Sequence, residues 1–573
     1  MHPFILFGII AIAAATISTI INSITSRRRQ LENLKSSFGK SPEGEAGLQL
    51  ESIARYAQYI QKYSPSQQRV DQITWNDLDM DKVFARINTC QTSVGEEYLY
   101  NNLHHLPLNG ETLTKRENLI QFFASNPDTR LKVQHLLVSR VGKEDYNGLT
   151  ALMSATGIIG LKHKHIFTIL ALLPLLMSAV TIINLPIGII GVILSFAINM
   201  IVHYRMKNRV EIEIPSIKYL TSILKCCKSL LKIKEMNHLP IMGEISRLHK
   251  MLKSIQRKIP TMSSMAGDIL GSSFEYINIL FLNDIRHYNK FMGIIKERSE
   301  EFRALYQALG EIDLSIAVLG FRLSLDAYSL PEFYNEQPLI FEEIAHPLIP
   351  NPVTNTGTIK NDSLLTGSNA SGKSTFIRAL AINSILAQTI NTCAAKSFRT
   401  RFSLILTSMV VRDDISAGDS YFIVEIKSLK RVLDMVKKYP CTCFIDEILR
   451  GTNTIERIAA SASVLAYLHK QDALCIAASH DIELTYILKN QYDNYHFREQ
   501  VTGDGIVFDY KLKDGPSTTR NAIKLLSFMD FPEDIISQAE ELAEEYAVYS
   551  GDRFSHFCQK RLSRKGQGNE SDN

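Results

Sequence analysis

The chain has 573 residues, a formal net charge of +4 and a pI near 8.4. This length predicts several domains, and so small a net charge does not by itself require a polyanionic partner. The eight cysteines lack the paired C-x-x-C spacing that is typical of zinc sites. We therefore interpret them as reduced thiols of a cytosolic body rather than as disulfides of a secreted protein.

The N-terminal run from Pro3 to Ile24 is apolar and uncharged. It is long enough to cross a bilayer of about 30 Å. Its positive charges, Arg27 to Arg29, follow the run, whereas a secretory signal peptide carries them before it. The positive-inside rule predicts an uncleaved anchor whose N-terminus is outside and whose following chain is cytoplasmic. The alternative is a buried core helix.

A second apolar stretch runs from Ile166 to Val202 and is divided by Asn184, Leu185 and Pro186. It is too long for one span, so it predicts two transmembrane helices joined by a short external turn. Basic residues flank both sides, which places both ends of this hairpin in the cytoplasm. We therefore expect three spans, a multi-pass protein of the cell inner (cytoplasmic) membrane, and all other domains in the cytoplasm.

The segments on either side of the hairpin are predicted to be helical, because their apolar residues recur every three or four positions. Leu220, Ile223, Leu224 and Cys227, for example, share one helical face. We interpret Lys115, Arg116 and Glu117 as a solvated or helix-packing face. The second segment is basic, and its lysines could face solvent, lipid headgroups or nucleic acid.

A phosphate-binding pattern, G-x-x-x-x-G-K-[ST], is complete at Gly367, Gly372, Lys373 and Ser374. An apolar run precedes it and an apolar-periodic segment, Phe376 to Ile390, follows it, so strand, loop and helix are predicted in that order. Such glycines let backbone N–H groups surround phosphate oxygens. The nucleotide-binding residues of this loop would be Gly367, Ser368, Asn369, Ala370, Ser371, Gly372, Lys373, Ser374 and Thr375. The alternative is a chance glycine-rich turn.

Roles within this site follow from the residue types. Lys373 would reach the β- and γ-phosphates of ATP, and Ser374 would bind Mg²⁺. Cys441 to Glu447 is β-prone, so Asp446 and Glu447 are predicted at the end of a parallel strand.

The two carboxylates have different predicted tasks. Asp446 would hold Mg²⁺, and Glu447 would act on the attacking water as general base. A second short strand, Ala473 to Ser479, leads into His480. We interpret His480 as a γ-phosphate sensor, and the alternative is a structural histidine.

Three motifs carry a family resemblance: Thr366 to Thr375, Asp446 to Thr454, and Ala478 to Leu484. They resemble the ATPase domain of the MutS family. Between them, Arg412 to Ile426 is similar to the segment that holds the family's ABC-type trans element. The resemblance implies that Ser420 approaches the γ-phosphate bound to a second subunit, and that the protein works as a homodimer with ATP and Mg²⁺.

The loop also departs from the family pattern. Asn369 matches the family's asparagine, which implies a phosphate or metal contact. Ser368, Ala370 and Ser371 stand where proline, methionine and glycine are common. These differences leave the phosphate cradle intact.

Looser matches, at 74–79, 84–95 and 113–117, resemble the family's helical lever domain. The expected fold is therefore an α/β P-loop NTPase domain of ABC type after an all-α lever or core and three transmembrane helices. The predicted domain order is anchor 1–26, linker 27–64, lever 65–160, transmembrane hairpin 161–205, second lever part 206–335, ATPase domain 336–548 and disordered tail 549–573.

The anchor and linker stand where MutS mismatch sensors carry their mismatch-binding domain. The resemblance thus implies an ATP-driven machine that binds DNA without recognising mismatches. One alternative is an ABC-type transport or membrane-remodelling ATPase, although Ser416 to Ser420 replaces the transporter signature L-S-G-G-Q. Another is a nucleotide-gated membrane scaffold for a protein partner.

Overall fold

A helical part precedes a mixed α/β part in this computed structural model. It describes residues 3–42, 49–143, 150, 164–256, 277, 279–335, 338–368, 371–409, 421–502, 505–517, 523, 526, 529 and 531–543. The helices of the first part are α1 (Pro3–Ser37), α2 (Leu50–Tyr63), α3 (Gln72–Asp77), α4 (Met80–Ile87), α5 (Ser93–His104), α6 (Glu111–Ser125), α7 (Pro127–Arg140), α8 (Lys164–Ile183), α9 (Leu185–Leu230), α10 (Pro240–Gln256), α11 (Asn283–Glu297) and α12 (Ser299–Leu323).

Helix α12 is the centre of the helical part. Most of its side chains from Phe302 onward are buried, and it packs along α5. The buried Asp313 accepts hydrogen bonds from the backbone N–H groups of Gln91 and Thr92, just before α5 begins. A long helix buried on nearly all sides is therefore tied to its neighbour by a polar contact as well as by apolar packing.

Three helices among the described residues are long and apolar enough to cross a membrane: His165–Ile183, Leu185–Met206 and Ser299–Leu323. The last is 83% buried and is the core helix α12, whereas the other two are only 17% buried. These two exposed helices are the predicted hairpin, and the break at Asn184 is confirmed. The predicted anchor lies in α1, where many side chains are outside the described residues. Insertion of these helices into a membrane stays a prediction.

Helix α9 continues well past the hairpin. It runs without interruption from Leu185 to Leu230, across the expected boundary between residues 205 and 206. Its last turns bury Leu220, Ile223, Leu224 and Cys227 in the helical core, which confirms their shared face. One helix thus connects the exposed apolar hairpin with the core.

The predicted solvated or packing face at residues 115–117 is divided in the structure. Lys115 is exposed, but Arg116 and Glu117 are buried. The Nε atom of Arg116 lies 2.6 Å from Glu311 Oε1, and Nη2 of Arg322 lies 2.7 Å from Glu117 Oε2. For Arg116 and Glu117 the solvated alternative is wrong, because each has an ion-pair partner on α12.

The α/β part contains two larger sheets and a small hairpin. Its strands are β1 (Glu332–Phe333), β2 (Leu339–Ile344), β3 (Asn355–Ile359), β4 (Ser363–Thr366), β5 (Ser397–Thr400), β6 (Leu404–Ser408), β7 (Cys441–Asp446), β8 (Ala473–Ala478), β9 (Asp493–His496), β10 (Glu499–Thr502), β11 (Gly505–Phe508) and β12 (Lys513–Asp514). Its helices are α13 (Lys373–Ile390), α14 (Tyr421–Met435), α15 (Thr454–Leu468) and α16 (Glu483–Ile487).

The main sheet has the strand order β12-β9-β4-β8-β7-β6. Its strands are parallel except β12, which is antiparallel to β9. Strands β4, β7 and β8 are buried along their whole length, as expected for parallel strands covered on both faces. Asp446 pairs in register with Ala478, so the carboxyl ends of β7 and β8 meet at one edge. Loops after these strands therefore converge there.

The helical part docks directly onto this sheet next to β6. Asp77, at the end of α3, accepts hydrogen bonds from the hydroxyl of Thr407 at 2.6 Å and from the backbone N–H of Met409 at 3.1 Å. Burial raises the pKa of the Asp77 carboxyl to about 6. The junction thus includes a half-buried acid that is held by hydrogen bonds to the sheet.

Candidate functional site

The predicted strand, loop and helix order is confirmed. Strand β4 ends at Thr366, and α13 begins at Lys373. Gly367 and Gly372 have φ angles of 141° and 99°, which side chains disfavour. A Cβ on Gly367 would lie 2.5 Å from the backbone oxygen of Phe497. The first glycine is therefore required both by its backbone angle and by the close approach of another chain segment.

Lys373 lies inside the turn of this loop. Its side chain is 2% exposed, and Nζ donates to the backbone oxygens of Gly367 and Ser368 at 2.6 and 2.7 Å. Ser371 donates through its hydroxyl to the same Ser368 oxygen. The N-terminus of α13 adds the positive end of its dipole at this point. The loop thus concentrates positive charge as a phosphate site requires.

Asp446 ends β7 beside the first turn of α13. It is buried and accepts a hydrogen bond from the Ser374 hydroxyl, while its buried Oδ1 atom has no hydrogen-bond partner in the part of the chain that the structure describes. Burial raises the pKa of Asp446, and the Ser374 hydrogen bond and the charge of Lys373 oppose that rise. An unpaired buried carboxylate oxygen beside a hydroxyl fits a hard cation, since Mg²⁺ takes few protein ligands when phosphates complete its shell.

No cluster of three or more His, Cys, Asp or Glu side chains that could hold a metal occurs in the part of the chain that the structure describes. A metal bound wholly by such protein side chains is therefore not indicated among these residues. A cation shared between Asp446, Ser374 and a ligand's phosphates needs no such cluster.

Both carboxylate oxygens of Glu447 are engaged. Oε1 lies 2.7 Å from His480 Nε2, and Oε2 lies 3.0 Å from Nη1 of Arg450. The hydrogen bond from His480 lowers the pKa of Glu447, and the charges of Arg450 and Lys373 act in the same direction. Because an ionised carboxylate only accepts, His480 Nε2 carries the hydrogen. The structure thus brings the predicted Glu447 and His480 together.

Comparison with known proteins agrees with this geometry. Residues 363–547 match the family model described as MutS domain V. This range begins at β4 and includes the loop, Asp446, Glu447 and His480. The C-terminal part of the chain therefore contains a MutS-type domain.

Several curated relatives are named DNA mismatch repair protein MutS. The one from Natronomonas pharaonis is 29% identical over 273 residues, which are 45% of this chain and 32% of that protein. The one from Pseudothermotoga lettingae is 30% identical over 256 residues, 42% of this chain and 31% of that protein. The one from Bacillus subtilis is 29% identical over 231 residues, 38% and 27% respectively. The chain thus spans about a third of the length of these relatives.

Some predicted residues of the MutS site cannot be placed. Asn369, Ala370 and Ser420 lie outside the described residues, so their proposed contacts stay predictions. Thr375 is exposed on the first turn of α13. The remaining predicted residues lie on the loop, in the first turn of α13 or at the adjoining ends of β7 and β8.

Three residues near the MutS site were missed by sequence reasoning. Arg450 pairs with Glu447 from three positions along the chain, a spacing that is visible in the sequence. Glu425 accepts hydrogen bonds from the backbone of Leu449 and Arg450, and no sequence signal links residues so far apart. Tyr510 lies against Gly372, where an added Cβ would be 2.9 Å from its ring.

Proposed function

We propose that the chain is a membrane-anchored MutS-type ATPase with a P-loop site, which binds and hydrolyses ATP between two copies of itself. The observation that carries this proposal is the buried Oδ1 atom of Asp446, which has no hydrogen-bond partner among the described residues and lies beside Ser374 and the Lys373 loop. A buried oxygen of this kind costs free energy unless a ligand completes it. Magnesium with the phosphates of ATP is the ligand that this donor set fits best.

The chain's own residues suggest how hydrolysis proceeds. The loop and Lys373 bind the β- and γ-phosphates and compensate their charge. Asp446 and Ser374 would hold Mg²⁺, which would supply Lewis-acid stabilisation of the transferred phosphoryl group. Glu447 orients the attacking water and accepts its proton, while His480 fixes the direction of the Glu447 carboxylate.

Exposed apolar residues near the site support association of two copies. Ile423 and Ile426 on α14 are 41% and 39% exposed, and Ile455 at the start of α15 is 66% exposed. Ile423 and Ile426 lie three positions apart on one face of α14, and large exposed apolar side chains grouped in this way favour an interaction surface. We place the second subunit's Ser420 opposite the γ-phosphate in this dimer.

The exposed hairpin supports attachment to the inner (cytoplasmic) membrane, with the ATPase domain in the cytoplasm. Ile182 and Ile183 are 87% and 88% exposed, and α8 and the part of α9 from Leu185 to Met206 are apolar and largely exposed. In water such a surface is unfavourable, whereas a bilayer accommodates it.

The proposed orientation is tested with an impermeant thiol reagent on intact cells. The described cysteines are all buried, so a Cys558→Ser background leaves little native labelling. Ile183→Cys in that background should react from outside, and Ser463→Cys, on the exposed side of α15, should react only after lysis. Labelling of Ile183→Cys only after lysis contradicts the three-span arrangement.

DNA is the proposed substrate, because the matched relatives are named for DNA mismatch repair. The exposed lysines of α9 and α10, among them Lys225, Lys228 and Lys250, offer phosphate contacts. The deciding experiment is ATPase activity of the detergent-purified full chain with Mg²⁺, with and without duplex, branched and single-stranded DNA, over a salt series.

Stimulation by DNA that weakens as salt rises is the expected result. Hydrolysis that is indifferent to every DNA would contradict the DNA assignment and favour a membrane or protein substrate. Lys373→Ala should abolish ATP binding, whereas Glu447→Gln should bind ATP without turnover. Lys470→Ala, an exposed site beyond α15, is the matched control and should behave as the parent. Equal turnover by Glu447→Gln and the parent would remove Glu447 from its role.

A further inference from the structure

The turn that carries Glu447 has an unusual backbone. Glu447 and Leu449 both have φ angles of 56°, in the left-handed region. Residues with side chains enter this region at a cost in free energy, and they stay there only when neighbouring contacts hold them. The backbone N–H of Glu447 donates to Ala478 at 3.0 Å, which fixes the first half of the turn to β8. The second half needs another support.

Glu425 supplies that support from α14. Its Oε1 atom accepts hydrogen bonds from the backbone N–H of Leu449 and, at 3.4 Å, from that of Arg450. The side chain is 7% exposed, and its buried Oε2 atom has no hydrogen-bond partner among the residues that the structure describes. Burial also raises the pKa of Glu425. Burying a carboxyl group costs free energy unless its oxygens accept hydrogen bonds. Here one oxygen accepts hydrogen bonds from two adjacent backbone amides.

The same turn of α14 also packs against the end of this segment. A Cβ on Gly451 would lie 3.2 Å from Cβ of Phe422, so the two backbones approach closely. Phe422 and Glu425 lie three positions apart and share one face of α14. The segment from Leu449 to Gly451 is therefore held by a packing contact and by a pair of hydrogen bonds from one helix.

The position of this segment affects the orientation of the Glu447 carboxylate. Arg450, whose backbone N–H is held by Glu425, places its guanidinium 3.0 Å from Glu447 Oε2. His480 holds the other oxygen at 2.7 Å. The Glu447 carboxylate is thus held by His480, on the loop after β8, and by Arg450, whose backbone position is set by Glu425.

We propose that Glu425 is a positioning residue for ATP hydrolysis: by holding the Leu449–Arg450 turn it aims the Glu447 carboxylate at the attacking water. This inference rests on the proposed ATPase function. Glu425 contacts neither the phosphate loop nor Asp446 through any described hydrogen bond, so its effect passes through the turn. The predicted trans residue Ser420 directly precedes α14. Glu425 therefore offers a route by which subunit association at Ser420 would affect the orientation of Glu447.

The test compares Glu425→Ala with Glu425→Gln in the full chain. The alanine variant removes the acceptor, whereas glutamine keeps an amide oxygen at the same reach. We expect Glu425→Ala to lower kcat about 10- to 100-fold, since a catalytic group displaced by about 1 Å can lose about 100-fold in rate, with the Kd for a non-hydrolysable ATP analogue unchanged. Glu425→Gln should restore most of the lost kcat. Asp434→Ala, an exposed residue on the same helix, is the control and should keep the parent's kcat.

Three outcomes would overturn the inference. The first is a parental kcat in Glu425→Ala, and the second is equal impairment in the alanine and glutamine variants. The third is a parallel loss of kcat and analogue binding, which indicates general structural damage. Should the alanine variant not fold, Glu425→Asp provides the answer, because its shorter side chain keeps the charge but cannot reach both amides. A parental kcat in Glu425→Asp also contradicts the proposal.

A parent chain that binds the analogue but never hydrolyses ATP would overturn the proposed function itself, and this inference with it.

Discussion

The C-terminal end of α13 is held by buried arginines of the helical part, whereas its N-terminal end faces the phosphate-binding loop. Arg116 donates to the backbone oxygen of Thr389, and Arg322 donates to that of Asn391 at 2.9 Å. Cationic side chains are favourable at this end of a helix, where the last carbonyls lack partners within the helix. Each arginine is in turn paired with a carboxylate of the helical part.

At the N-terminal end the pairing is incomplete. Asp446 is buried beside the first turn of α13, with one oxygen that accepts no hydrogen bond among the described residues. The comparison shows two uses of buried polar groups. At the junction with the helical part, the polar atoms pair within the protein and fix α13 in place. At the loop, one carboxylate oxygen of Asp446 has no partner among the described residues and is available to bind a ligand, as is common in binding sites.

The largest predicted effect is at the paired end. Arg322→Met keeps much of the side-chain volume but leaves Glu117 buried without its ion-pair partner. We expect a loss of about 3–5 kcal/mol in the free energy of unfolding, the usual result of breaking a buried pair on one side. Urea unfolding of the purified chain measures it.

Two further variants control this measurement. Adding Glu117→Gln to Arg322→Met should recover part of the loss, because it removes the unpaired charge. Lys430→Ala breaks an exposed pair on α14 and should cost less than about 1 kcal/mol. Equal losses in Arg322→Met and Lys430→Ala would show that the buried arginine does not hold the junction.

The sequence predicted the two ends of α13 unequally well. Gly367, Lys373 and Asp446 belong to local motifs whose spacing and strand context are visible along the chain. Arg116 and its partner Glu311 are 195 residues apart. No local periodicity indicates such a contact, so the sequence left a solvated face open as an alternative.

The hairpin shows the same limit. Its break at Asn184 follows from a polar residue and a proline within an apolar run. The continuation of α9 to Leu230 does not, because the polar residues after the apolar stretch look like the end of a span. Packing against the helical core, through Leu220 and its neighbours, decides where that helix ends.

The next effect in size tests whether the loop end is constrained by its backbone. Gly367→Ala places a Cβ 2.5 Å from a backbone oxygen at a φ of 141°, so strain and a clash combine. Gly515→Ala has a φ of 86° but open space around the new Cβ, so only strain applies, at about 1–3 kcal/mol. Thermal unfolding should show a larger loss for Gly367→Ala, by at least about 1 kcal/mol. Equal losses would mean that the loop relaxes away from Phe497.

The smallest effect on stability, and the sharpest test of the contrast, is expected for Asp446→Asn. Because burial raises the pKa of Asp446, its ionised form is disfavoured in the folded protein, and ionisation destabilises the parent as pH rises. The variant should therefore be as stable as the parent near pH 4, about the pKa of an unfolded aspartate. Its advantage should grow with pH until Asp446 is fully ionised in the folded parent, and then stay constant.

Unfolding midpoints at several pH values, with and without Mg²⁺ and an ATP analogue, measure both parts of this prediction. The added ligand should stabilise the parent, so that the parent becomes more stable than Asp446→Asn. The reason is that the neutral amide of the variant cannot supply the charge that a cation requires. A loss of stability in Asp446→Asn at neutral pH without ligand would place Asp446 with Arg322, as a structural group. If Asp446→Asn is more stable than the parent without ligand and is not stabilised by Mg²⁺ and the analogue, then Asp446 serves ligand binding and not folding.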